Sequence, residues 1–102
     1  MIALVEQKKN EVAALCKKFK VHRLDLFGSA TKKNFRADSS DLDFLVSFDE
    51  KEPGEYSRCY FNLADSLEKL FQRRVDLVTE RSVRNPYFRQ AIDETREMVY
   101  AA

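Results

Sequence analysis

The sequence predicts an α/β or α+β fold, a small β-sheet flanked by helices, and three observations carry that expectation. Apolar residues recur at spacings of three and four in two stretches, Val12-Leu15-Cys16-Phe19 and Tyr60-Leu63-Leu67-Leu70-Phe71. Three short stretches, "HRLDLF", "DLDFLVSF" and "RRVDLVT", are rich in β-favouring residues and carry no proline. Asn85-Pro86 has the form of a helix start, with asparagine as cap and proline at the first helical position. The predicted order is helix, strand, strand, helix, strand, helix.

Taken in order, the first helix covers roughly residues 6–18, with Ile2, Leu4 and Val5 extending it or capping the core. "HRLDLF" alternates, placing Leu24 and Leu26 on one face, and ends at Gly28. The polar run from Ser29 to Ser40 predicts a short helical turn and a loop. "DLDFLVSF" is continuous enough in apolar residues to be a central strand. "DEKEPGEY" is a loop by composition, and a second helix follows over about residues 57–72. "RRVDLVT" gives a third strand, and the third helix runs from Tyr87 to about Glu94. "EMVYAA" closes the chain as a short strand or docked tail.

At 102 residues, 44% apolar and 34% charged, the chain predicts one soluble domain over residues 1–102. Lysine plus arginine number 18 against 17 aspartate plus glutamate, so no basic excess points to nucleic acid as a direct partner. No stretch has the length of a signal peptide's apolar region or of a membrane span, so the expectation is no membrane and a cytoplasmic protein. Cys16 and Cys59 lack metal-like spacing and are read as small hydrophobes.

The chemistry lies at the strand ends. Residues two apart on a strand share a face, with Cα atoms about 6.5 Å apart, so Asp41 and Asp43 point the same way. Two like charges held on one face of a buried sheet are unfavourable unless a cation neutralises them. Oxygen-only ligands suit Mg²⁺, and Asp76 supplies a third carboxylate if the third strand lies beside the second. The alternative is a plain acidic strand edge, and Asp-x-Asp alone does not decide. Gly28, directly after a strand, permits close backbone approach to a ligand, and Ser29 adds a hydroxyl and an N–H suited to an anion. Its bland counterpart is a tight turn with a serine cap. The conjunction of the three features is what separates the readings.

With "LFGSA…FRADSSDLDFLVSF", "RRVDLVTE", "NPYFRQAI" and the terminal "VYAA" in view, the chain resembles the minimal nucleotidyltransferases (MNT type) of the DNA polymerase β superfamily. The resemblance spans essentially the whole chain. It implies a small mixed sheet flanked by helices, ATP as substrate, and two Mg²⁺ ions. Gly28 and Ser29 match the pair that holds the triphosphate, with Lys32 and Arg36 as further nucleotide-binding candidates. Asp41 and Asp43 match the metal ligands and Asp76 the third carboxylate, which together form the catalytic set. Two departures stand out. Eleven residues separate Ser29 from Asp41 where ten are usual, and Thr31-Lys32-Lys33 replaces the frequent Ala-Arg-Gly. Lys32 keeps the charge without the planar fork of arginine.

The resemblance further implies transfer of AMP to a tyrosine of a HEPN-domain ribonuclease toxin, with the chain as antitoxin of a type VII-like pair. It leaves a homodimer or a hetero-oligomer with the toxin open. A second reading is a non-catalytic antitoxin that neutralises by binding, and a third is adenylylation of a small molecule. His22, the only histidine, reads as solvated or capping. Tyr56, Tyr60, Phe61, Tyr87 and Phe88 read as core or as a partner surface.

Overall fold

A computed structural model describes residues 1–31 and 41–102. Its elements run α1 (Ala3–Gln7), α2 (Lys9–Lys18), β1 (Val21–Phe27), β2 (Leu42–Phe48), α3 (Pro53–Phe71), β3 (Val75–Thr79), α4 (Pro86–Thr95) and β4 (Glu97–Ala101). Short 3-10 turns follow β1 (Gly28–Thr31) and β3 (Glu80–Ser82).

The strands form a mixed four-stranded sheet in the order β3-β2-β1-β4. β1 pairs antiparallel with both β2 and β4, whereas β2 and β3 run parallel. Parallel neighbours need a long crossover, and α3 supplies it. The α+β expectation and the central place of the "DLDFLVSF" strand are therefore met, and "EMVYAA" resolves into a strand beside β1.

Alternation along the strands splits the molecule into two layers. Leu24, Leu26, Leu42, Phe44, Val46, Val75 and Leu77 join Val5, Val12 and Cys16 of α1–α2 and Leu63, Leu67 and Phe71 of α3 in one core. Phe44 is fully buried there and stacks on Phe71 at 6.1 Å between ring centroids. The opposite face carries a smaller cluster of Phe27, Leu45 and Ile92, covered by α4. Burial pushes the Cys16 thiol up to about 12, consistent with a packing role.

Local chemistry sets the element ends. Asn85 Oδ1 accepts from the N–H groups of Tyr87 and Phe88 at 2.8 and 3.3 Å, so the cap expected at Asn85-Pro86 is made. Two expectations need correction. The first helix is divided at Lys8, whose φ of −110° interrupts the helical path. The loop expected over residues 49–56 is shorter, because Pro53 opens α3 at its first turn, where a missing N–H costs nothing. His22 is exposed near Asp49, as expected.

Among the described residues, one charge is buried, on the α4 side. Asp25 in β1 has no exposed surface, and its two oxygens are held by Arg23 Nε at 2.9 Å and Arg96 Nε at 2.7 Å. Arg96 also reaches Asp93 at 3.0 Å and Glu80 at 3.4 Å, while Arg89 binds Glu80 at 2.6 Å. This network ties the end of α4 to β1 and to the turn after β3. Removing one partner of a buried pair leaves an uncompensated charge, so Arg96→Met is expected to cost about 3 kcal/mol in urea unfolding. Unchanged stability would show that Arg23 alone satisfies Asp25.

Candidate active site

The register places three chemical groups in one row across the sheet. Phe27 of β1 is paired with Asp43 of β2, and Asp43 with Asp76 of β3. Strand spacing of about 4.8 Å sets the distance between neighbours in such a row. Gly28 follows Phe27 directly, and so stands at the β1 end of the row. Asp76 stands at the other end, on the edge strand, with its side chain half exposed.

Gly28 has φ of +74°, a conformation that side-chain-bearing residues rarely adopt. A Cβ at this position would lie 2.8 Å from Asp43 Oδ2. The glycine therefore serves two needs at once, the turn and the close approach to the carboxylate. Its N–H donates to Thr95 Oγ1 at 2.9 Å, and its carbonyl accepts from Thr31 Oγ1 at 2.7 Å. Ala30 is fully buried beneath the turn, which leaves Ser29 exposed above it.

The acidic pair shows the strain expected of close like charges. Burial, the charge of Asp76, a hydrogen bond to Asp76 and the charge of Asp41 push the Asp43 carboxyl up to about 6. Asp41, exposed and immediately before β2, thus stands near enough for its charge to be felt. Among the described residues, no three His, Cys, Asp or Glu side chains are gathered tightly enough to hold a metal ion by themselves. The facing oxygens of Asp43 and Asp76 still fit a hard cation, which characteristically takes one or two carboxylates and completes its shell with substrate phosphates.

Of the residues singled out from sequence, Gly28, Asp43 and Asp76 come together and Ser29 and Asp41 border them. Lys32 and Arg36 lie outside the described residues. Sequence reasoning missed Thr95, Asp25 and Arg96. Thr95 holds the Gly28 N–H from 67 residues away, and no local pattern marks such a contact. Asp25 had a weak signal, an acid between two core leucines with Arg23 two positions before it.

Two measurements test this geometry. Because the fold raises the Asp43 carboxyl from 3.8 to about 6, it favours the protonated form. The stability this group contributes is fully present below pH 3.8 and is lost as pH rises through 6. Partial exposure screens the effect, so Asp43→Asn should stabilise the metal-free protein at pH 7.5 by about 1 kcal/mol, with the gain fading near pH 4. Thermal melts across that range check it, and a gain independent of pH would refute the assignment. Gly28→Ala should lose about 2 kcal/mol through its positive φ and its contact with Asp43. Asp43→Asn should not rescue that loss, because the amide is as bulky as the carboxylate.

Comparison with known proteins follows the same lines. Residues 9–99 match the family model of the nucleotidyltransferase domain. A Methanocaldococcus jannaschii protein named "putative protein adenylyltransferase" is 37% identical over 83 residues, 81% of this chain and 79% of its own length. Among solved structures, a toxin–antitoxin with AMP-PNP superposes with a TM-score of 0.68 at 23% identity, over 92% of this chain and 73% of that one. A tri-AMPylated Shewanella oneidensis HEPN toxin in complex with its MNT antitoxin matches with a TM-score of 0.66 at 20% identity, over 96% of this chain and 73% of that one. At those identities the two structures establish the shared fold. No helix among the described residues is long and apolar enough to cross a membrane. A glycine turn at one end of a row of facing carboxylates, on a mixed sheet of this topology and under that family match, places the chain in the nucleotidyltransferase domain family.

Proposed function

We propose that this chain transfers AMP from ATP to a tyrosine hydroxyl of a HEPN-domain ribonuclease toxin and so acts as its antitoxin. The observation that carries the reading is the row itself, with Gly28 against Asp43 and Asp43 facing Asp76. Support for the nucleotide and the acceptor comes from relatives: one neighbour in fold is described with AMP-PNP and another with an AMPylated HEPN toxin. Protein adenylyl transfer is also the activity for which the Methanocaldococcus relative is named.

In this reading the triphosphate lies against the Gly28–Thr31 turn, where the exposed Ser29 offers its hydroxyl and N–H. Thr95 holds the turn in place through Gly28 N–H, which is therefore not itself free for phosphate. Asp41, Asp43 and Asp76 would hold two Mg²⁺ ions. When bound, these ions neutralise the phosphates and the charge that develops on the leaving pyrophosphate. Asp76, at the open edge, accepts a hydrogen bond from the acceptor hydroxyl and takes its proton as the new O–P bond forms. The bond from the α-phosphorus to the bridging oxygen breaks, and pyrophosphate leaves on the Gly28 side. The setting is the cytoplasm, where ATP and a ribonuclease toxin meet.

Incubation with ATP, Mg²⁺ and the HEPN-domain protein encoded by the neighbouring gene should add AMP to that protein, seen by intact mass. Asp43→Asn should lower the rate by at least about 100-fold. Equal behaviour of wild type and Asp43→Asn would refute the enzymatic reading. Neutralisation of the toxin by Asp43→Asn without AMP transfer would assign the chain to binding antitoxins instead.

A further inference from the structure

Two clefts meet along the outer side of β3. One, of about 440 Å³, opens at Asp43 and Asp76 and is walled by Phe27, Tyr60 and Phe88. The other, of about 430 Å³, shares Tyr60, Leu77 and Val78 and continues past Phe61 to Thr79 and Ser82. Together they form one groove between α3 and β3 that leads away from the carboxylates. Its rim carries aromatic surface that the fold leaves in water, with Phe61 68% and Phe88 41% exposed.

The edge of β3 is poorly suited to pairing with another strand. Val75 N–H donates to Glu68 Oε2 at 3.2 Å, Leu77 O accepts from Tyr60 OH at 2.5 Å, and Thr79 O accepts from Ser82 Oγ at 2.9 Å. These contacts occupy backbone groups that an added strand would need. A ligand in the groove is therefore held by its side chains.

Charge distinguishes the far end. Arg81 and Arg84 line a hollow there with Tyr56 and Ser82. The Arg81 guanidinium lies 4.0 Å from the centre of the Tyr56 ring, and neither arginine has a carboxylate partner among the described residues. Glu80, the acid between them and β3, is already taken by Arg89 and Arg96.

The direction of the reaction selects the occupant. This step rests on the adenylyl-transfer reading above. With pyrophosphate leaving toward Gly28, in-line displacement brings the acceptor hydroxyl from the opposite side of the row. That side is β3, where the groove begins. We propose that the α3–β3 groove is the docking site of the acceptor protein, which lays along it an extended segment with the target aromatic hydroxyl at Asp76 and an acidic residue against Arg81 and Arg84. Asp76 and Thr79 are three residues apart on a strand, about 10 Å at 3.3 Å per residue. The hollow lined by Thr79, Arg81 and Arg84 therefore begins about that far along β3 from Asp76, which sets the least span the segment covers.

The test uses the neighbour-encoded HEPN-domain protein as acceptor and compares Phe61→Glu, Arg84→Glu and a control, Met98→Glu, at an exposed position on the opposite edge strand. AMP transfer is measured with each substrate varied, and nucleotide-free acceptor binding is measured by calorimetry in an Asp43→Asn background. Phe61→Glu and Arg84→Glu should each raise the acceptor KM and Kd at least about 10-fold, while KM for ATP and the melting temperature stay as in wild type. Met98→Glu should change nothing, and the Arg84→Glu defect should shrink at high salt. Active wild type with both groove variants binding acceptor normally would overturn the docking site and leave the transferase reading standing. Wild type that transfers no AMP, yet loses acceptor binding on either groove substitution, would overturn the transferase reading and keep the groove as the binding surface. A wild type that neither binds nor modifies the acceptor overturns both.

Discussion

Asp43 and Asp76 face each other across a parallel strand pair, and the rest of the molecule holds them there against their repulsion. Neither can turn away, because the residues flanking them are locked in the opposite layer. Leu42 and Phe44 beside Asp43, and Val75 and Leu77 beside Asp76, are buried against α3 and the first two helices. Since strand side chains alternate with a period of two, burying one set aims the other. The hydrophobic core thus supplies the free energy that keeps the two carboxylates together.

The second face performs a different task. α4 covers Phe27 and Leu45 through Ile92, and its last turn fixes the glycine turn through Thr95. Arg96, at the end of the same helix, is bound to the buried Asp25 one row behind the acidic pair. The glycine turn and the facing carboxylates are therefore positioned by separate layers of one sheet, which meet where Gly28 touches Asp43. Positive φ and lack of a side chain are both required at that point, which accounts for one of the chain's two glycines.

Much of this was legible beforehand, and the reasons differ from element to element. Helical spacing marked the Cys16 and Leu67 faces because those helices have one wet side. Asn85-Pro86 was legible because capping is local chemistry between neighbours. Pro53 misled: within "DEKEPGEY" it reads as a loop residue, yet the first helical turn accepts proline without loss. The break at Lys8 left no mark, since the apolar pattern continues across it. The exposed aromatics Phe61 and Tyr87 could not be told from core residues, because helical spacing reports a face and not whether a partner covers it.

By itself the sequence determined where carboxylates and a glycine stand in the strand pattern and which face of each strand they share. Asp41 and Asp43 two apart, Asp76 within a β-favouring run, and a glycine closing a strand are local facts. Only the tertiary structure decided that Asp43 pairs with Asp76 in register, that Thr95 and Arg96 brace the site from the far end of the chain, and that a groove leads from it along β3. Those depend on strand order and layer packing, which couple residues tens of positions apart through the core, and no periodicity along the chain encodes which strand lies beside which.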